Sequence, residues 1–220
     1  MEQRKTFLHI ALMSMLLILF ISCFTSISLA QPWTTKTPMP TARNLMPTVE
    51  IDGIIYAIGG ILGGLTSISI VEAYDTNTDS WTSKAPLPIP LGSSSGCAIN
   101  NKIYIFGGSI SGAYGTIVDS VYEYTPSSDT WSPKSHLPKP LSGAVAQTVN
   151  GKIYVIGGTT EGFNLAYNSV YEYDPVSDTW DTTKTPMSTA RFNHSSAVVD
   201  GKIYVFGGAT NNTLLPIYSV

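Results

Sequence analysis

The chain has 220 residues, a formal net charge of -3, 12% charged and 43% apolar side chains, 19 glycines and four tryptophans. So apolar and weakly charged a composition excludes a disordered chain, and a slightly acidic balance gives no surface for nucleic acid. The length suits one or two domains.

In chain order, residues 1–30 read as an export signal. Arg4 and Lys5 supply a positive end, Phe7 to Ile21 is apolar apart from His9 and Ser14, and Ser28-Leu29-Ala30 precedes a cut at Gln31. The apolar stretch is just short of a membrane helix, so an uncleaved anchor is one alternative. A lipoprotein signal at Phe20-Ile21-Ser22-Cys23 is a looser one. The membrane is met only through this segment, if it is retained or lipidated. Cleavage leaves 10 basic and 14 acidic side chains, net -4, and Cys97 as the one cysteine. Without a disulfide partner, Cys97 reads as a small buried apolar residue.

From residue 31 onward the chain repeats. The hexapeptides Ile55 to Gly60, Ile103 to Gly108, Ile153 to Gly158 and Ile203 to Gly208 recur at intervals of 48, 50 and 50, each ending in a glycine pair: Gly59-Gly60, Gly107-Gly108, Gly157-Gly158 and Gly207-Gly208. Trp33, Trp81, Trp131 and Trp180 keep step with them. Val71, Val121 and Val170 each lie ten residues before a tryptophan, with Tyr74, Tyr124 and Tyr173 three places on.

Each unit predicts four short strands. The first is rich in small residues (Ser94 to Ile99, Gly143 to Val149, Ser195 to Val199). A two-residue turn follows at Asp52-Gly53, Asn100-Asn101, Asn150-Gly151 and Asp200-Gly201. The second strand ends at the glycine pair, the third carries the Val and Tyr marks, and the fourth holds the tryptophan.

A four-stranded unit of about fifty residues with a double glycine, a Tyr and a Trp at these places resembles the kelch repeat over residues 31–220. The resemblance implies an all-β fold, a kelch-type β-propeller with three complete four-stranded blades and a partial fourth. Trp33 to Arg43 nearly repeats Trp180 to Arg191, so the Trp33 segment is expected to act as the fourth strand of a blade begun at the C-terminus. Val220 occupies the place of Val71, Val121 and Val170. Kelch propellers most often have six or seven blades, which implies a fragment truncated in its last blade, with a natural four-bladed ring as the alternative.

Function is expected on the face that carries the variable second-to-third connections and the links into each first strand. Tyr114, Phe163 and Tyr167 could stack on a sugar or peptide, with Glu161, Asn164, Asn211 and Asn212 as polar contacts; packing of their own loops is the alternative. Arg43 and Arg191 each lie sixteen residues before the first glycine of a pair, where Leu91 and Leu141 stand in the other units. In some kelch domains arginines here grip acidic ligand groups, which makes both candidates for a carboxylate partner; a structural bond to loop carbonyls is the alternative. Asn193 and His194 share that entrance.

A copper radical oxidase of the galactose oxidase type needs two tyrosines, two histidines and a cross-linked cysteine, a set this chain does not offer. No phosphate loop, zinc spacing or nucleophile motif is present, so no cofactor, metal ligand or catalytic residue is assigned. Three function classes follow: an exported module binding a protein or glycan, a carbohydrate isomerase resembling the periplasmic sialic acid mutarotase, or a structural or adhesive surface protein.

Overall fold

The computed structural model describes residues 33–113, 115–160 and 165–210, which fall into two units, Met1–Lys36 and Thr37–Val220. In the first unit residues 33–36 lie outside any strand, and Trp33 is fully exposed. The expected fourth strand at Trp33 is therefore not formed. The third strand that would carry a tyrosine for it to pack on is not among the described residues.

The second unit is built from strands, with no helix among the described residues. The first blade is an antiparallel sheet of β1 (Thr48–Ile51) and β2 (Ile54–Ile58), then, after a small hairpin of β3 (Ile61–Leu62) and β4 (Thr66–Ser67), β5 (Val71–Asp75) and β6 (Ser80–Lys84). The second blade has β7 (Ser95–Ile99), β8 (Lys102–Phe106), β9 (Val121–Thr125) and β10 (Thr130–Lys134). The third has β11 (Val145–Val149) and β12 (Lys152–Ile156), a hairpin of β13 (Thr159–Thr160) and β14 (Leu165–Ala166), then β15 (Val170–Asp174) and β16 (Thr179–Asp181). The fourth is represented by β17 (Ser195–Val199) paired with β18 (Lys202–Phe206). Two of the connections read as plain loops thus contain hairpins of their own.

Local sequence explains the order. Asp52-Gly53, Asn100-Asn101, Asn150-Gly151 and Asp200-Gly201 all have positive φ, the requirement of a two-residue hairpin whose twist matches the strands. Pro133 is tolerated in β10 because that strand is the outermost of its sheet and needs no second partner. The first strands lie beside one another at the inner edge. Thr148 Oγ1 of β11 donates to the Ala98 carbonyl at 3.0 Å, and Gln147 Nε2 donates to Ser196 Oγ at 2.9 Å.

The glycine pairs join consecutive blades. Gly60, Gly108 and Gly158 donate their amides to the carbonyls of Leu91, Leu141 and Arg191 at 2.8, 2.8 and 2.9 Å. At Gly107 the requirement is twofold: φ is 58°, and a Cβ would sit 2.2 Å from the Leu141 carbonyl oxygen. Between the first two blades Val49, Tyr56, Ile58, Ile103, Ile105 and Tyr124 form one core, with Trp131 at its margin. Tyr104, Phe106, Val121, Val155 and Tyr173 form the next, with Trp180 at its margin.

Candidate functional site

Each first strand is entered through a residue in the left-handed region: Leu45, Ser93, Gly143 and Asn193, with φ of 52°, 51°, 63° and 50°. That conformation aims the amide of one blade at the carbonyl of the blade before. Ser93 donates to Leu45 at 2.7 Å, Gly143 to Ser93 at 2.9 Å and Asn193 to Gly143 at 2.8 Å. Bridges from Asn44 to Ile61, Gly92 to Ser109, Ser142 to Thr159 and Phe192 to Ala209 tie each entrance to the segment just after the glycine pair. Entrances and variable loops therefore share one face.

At the centre of that face is a mouth of about 330 Å³ lined by Met46, Ser94, Ala144, Asn193 and His194 among others. A second cavity of about 300 Å³ continues between the first strands, past Thr48, Ser95, Gly96 and Gln147. Small residues line this space, Ser94, Ser95, Gly96 and Ala144 among them. Ser93, Ser94 and Ser95 are each buried, and their hydroxyls have no hydrogen-bond partner among the described residues. In the sequence Ser94 and Ser95 read only as small first-strand residues and Ser93 as the end of the link before them; three consecutive hydroxyls at a first-strand entrance are the available signal.

The residues expected at the entrance are distributed differently. Asn193 is exposed at the mouth, with its amide committed to Gly143. His194 is buried. Removal from water, reinforced by the nearby Arg191 charge, lowers its pKa to about 4, against an opposing contact with the Ile156 backbone. The imidazole is thus neutral at physiological pH.

The Arg43 side chain is fully buried: it pairs with Glu72 at 2.6 Å and donates to the carbonyls of Thr41 at 3.2 Å and Ala57 at 3.0 Å. Arg191, also buried, donates to the Gly207 carbonyl at 2.8 Å. The expectation of two arginines reaching for a ligand carboxylate gives way to structural bonds within their blades. For Arg43 the reason is local, because Glu72 stands where the next two blades have Tyr122 and Tyr171.

Tyr167 lies away from the mouth, half-buried. Its hydroxyl is 3.3 Å from Thr160 Oγ1, and Lys139 Nζ sits 3.9 Å above its ring. With Thr116, Ile117 and Pro140 they line a groove of about 500 Å³ between the second and third blades. Lys139 lies in the link into the first strand of the third blade, on the face where function is expected. Tyr114, Phe163, Glu161, Asn164, Asn211 and Asn212 lie outside the described residues. Among the described residues no cluster of His, Cys, Asp or Glu could hold a metal ion.

Three further contacts repeat from blade to blade. Tyr74, Tyr124 and Tyr173 donate their phenols to Asp79, Asp129 and Asp178 at 2.5, 2.6 and 2.5 Å. The same carboxylates accept the amides of Thr37, Ala85 and Ser135, whose carbonyls accept the indole N–H of Trp81, Trp131 and Trp180. A family model, the KLHDC2/KLHL20/DRC7 Kelch-repeats domain, matches residues 18–208. The chain belongs to the kelch-repeat family. Its four-stranded blades are those of a kelch propeller.

Among solved structures this kelch chain is similar to one described as "Structure of YjhT", with a TM-score of 0.68 and 20% identity over 80% of the chain. At that identity the likeness speaks for the fold. The kelch chain spans 61% of the length of that structure. Against curated proteins it has no significant match.

Proposed function

We propose that this kelch chain is an exported binding module that holds a protein or glycan ligand at the mouth between its first strands. The observation that carries the reading is the set of buried hydroxyls on Ser93, Ser94 and Ser95 without partners among the described residues. A polar group buried without a partner costs about 1–3 kcal/mol. A ligand that supplies hydrogen bonds there offsets that cost, and peptide amides and sugar hydroxyls are the groups that both donate and accept. Variable loops around a rigid set of strands support the same reading, and kelch propellers generally serve as protein-binding modules. The neutral, buried His194 has no carboxylate partner at the mouth to form an acid–base pair among the described residues, which favours binding over chemistry.

The test is a glycan and peptide array probed with the purified protein, followed by titration of any ligand found. Ser94→Ala is expected to weaken that ligand by about tenfold, the equivalent of one lost hydrogen bond to a buried group, while raising the unfolding midpoint of the free protein, because a buried hydroxyl without a partner is removed. A ligand that binds Ser94→Ala and the parent equally would overturn the placement at the mouth. Export is tested by N-terminal sequencing of protein recovered outside the cytoplasm: Gln31 as the first residue is expected, and a retained Met1 would count against cleavage.

A further inference from the structure

The links between blades are in register, and one of them departs from the pattern. The amides of Leu91, Leu141 and Arg191 donate to the carbonyls of Ile68, Val118 and Tyr167. Lys139, two residues before Leu141, therefore stands where Ile89 stands before Leu91, and Tyr167 stands where Val118 stands in the second blade. Ile89 and Val118 both pack against the core between the first two blades. Between the second and third blades the same two places hold a cation and a phenol, with Lys139 Nζ 3.9 Å above the Tyr167 ring.

The chain supplies no counter-charge to that lysine. Lys102, Lys134, Lys152 and Lys184 each meet a carboxylate at 2.6 to 3.1 Å, whereas Lys139 meets none among the described residues. Its ammonium rests on the ring by a cation–π contact and keeps N–H donors for an acceptor. It lines the groove of about 500 Å³ between the two blades, a size that suits a small organic ligand. The walls are fixed from behind. The Tyr167 ring packs against the core, and its hydroxyl lies 3.3 Å from Thr160 Oγ1, a pair able both to donate and to accept. Thr160 is paired with Leu165 across the β13–β14 hairpin, the Thr116 carbonyl accepts the Ile110 amide at 3.0 Å, and Ile117 is bridged to Ser109. Ile117 and Pro140 add an apolar patch to the lining.

We propose that this groove is a second binding site, separate from the mouth, for a saccharide that carries a carboxylate, of the uronic acid class. The carboxylate accepts from Lys139 Nζ in a charge-assisted bond. Neighbouring ring hydroxyls exchange hydrogen bonds with Thr160 and Tyr167, and the C–H face of the sugar lies on Ile117 and Pro140. A cation, a donor–acceptor pair and an apolar patch in one groove match the three kinds of surface on such a sugar. An acidic peptide would use the lysine, but it offers spaced amides and not vicinal hydroxyls to the adjacent oxygens of Thr160 and Tyr167. The assignment does not depend on what the mouth holds.

The test titrates the whole protein by calorimetry with two probes, trigalacturonate and its fully methyl-esterified form, which keeps the hydroxyls and loses the charges. Saturable binding of trigalacturonate is expected, weakening as salt is raised, with the ester at least about tenfold weaker. Lys139→Met should lower the affinity by about tenfold, Lys139→Arg should keep most of it, and Tyr167→Phe should lower it severalfold. Ser94→Ala, which reports on the mouth, should leave it unchanged. No binding, equal binding of the ester, or a Lys139→Met protein that binds like the parent would overturn the proposal; the ester comparison uses the unaltered protein, so it stands even where a variant folds poorly. Loss of binding in Ser94→Ala would move the ligand to the mouth, and tighter binding of triglutamate would make the groove a peptide site, each an equally decisive failure.

Discussion

The phenol of Tyr124 donates to the carboxylate of Asp129 at 2.6 Å across the turn between β9 and β10, and the same carboxylate takes the Ala85 amide of the preceding blade at 2.8 Å. Tyr124 is buried beneath Trp131, 4.8 Å from its ring, so one aspartate at φ 52° links a turn, an aromatic core and the neighbouring blade. Asp129→Ala is expected to cost about 2 kcal/mol, from two charge-assisted hydrogen bonds weakened by solvent at the rim plus a left-handed conformation that Ala adopts poorly. Asp129→Asn should cost less than half as much, because Asn accepts that conformation and keeps an acceptor oxygen. Urea denaturation of the three proteins side by side checks the order.

The tryptophans divide into two kinds. Trp131 packs on the core between the first two blades and donates to Ala85, whereas Trp33 is fully exposed. Trp131→Ala is expected to lower stability by about 3 kcal/mol through the cavity it leaves, and Trp33→Ala to change it by less than about 0.5 kcal/mol. Equal effects in thermal unfolding would contradict the packing described here.

Burial separates the folded and unfolded pKa of His194. The folded value is depressed to about 4, so the unfolded chain binds a proton first as pH falls. Stability from this group is present above about 6.5 and is lost as pH falls from there to 4, a change on the order of 3 kcal/mol. Denaturation midpoints between pH 7 and 4 should decline in the parent and stay flatter in His194→Phe.

A second acid limb belongs to the carboxylates. The Tyr124 phenol and then the Ala85 amide hold Asp129 below its usual range. Burial pushes Asp178 upward, but hydrogen bonds from Tyr173 and Ser135 outweigh it. Lys152 brings Asp174 to about 2. Depressed folded values mean stability that is whole above the ordinary carboxylate pKa, about 4, and lost as pH falls toward 2. Unlike the histidine limb, this one should survive in His194→Phe and shrink in Asp129→Asn.

The Arg43–Glu72 pair, 2.6 Å apart and buried on both sides, is expected to behave as a buried ion pair. Glu72→Ala strands a guanidinium and should cost about 3 kcal/mol or more, while Arg43→Met combined with Glu72→Met should cost markedly less than the two single changes summed. A double-mutant cycle by denaturation measures the coupling. Arg43 is accordingly expected to affect any ligand only through stability.

Much of the fold was legible in the chain. The glycine pairs, the Tyr and Trp marks and the turn pairs are local demands of backbone and packing, so they recur wherever the unit recurs. The aspartates two residues before Trp81, Trp131 and Trp180 were equally periodic, yet looked like ordinary turn residues, because their partners lie 42 to 44 residues away. The candidate site was less legible. Arg43 and Arg191 stood out as charged residues at a first-strand entrance, but whether a guanidinium faces a ligand or its own blade depends on Glu72 and on carbonyls such as those of Ala57 and Gly207.

By itself the sequence determined that this protein is a set of four-stranded kelch blades, since spacing along the chain dictates hairpins and the apolar faces they bury. Only the tertiary structure decided which polar groups remain unsatisfied. Ser93, Ser94 and Ser95 become a candidate site because the assembled strands bury their hydroxyls without completing their hydrogen bonds, a property that no single repeat contains.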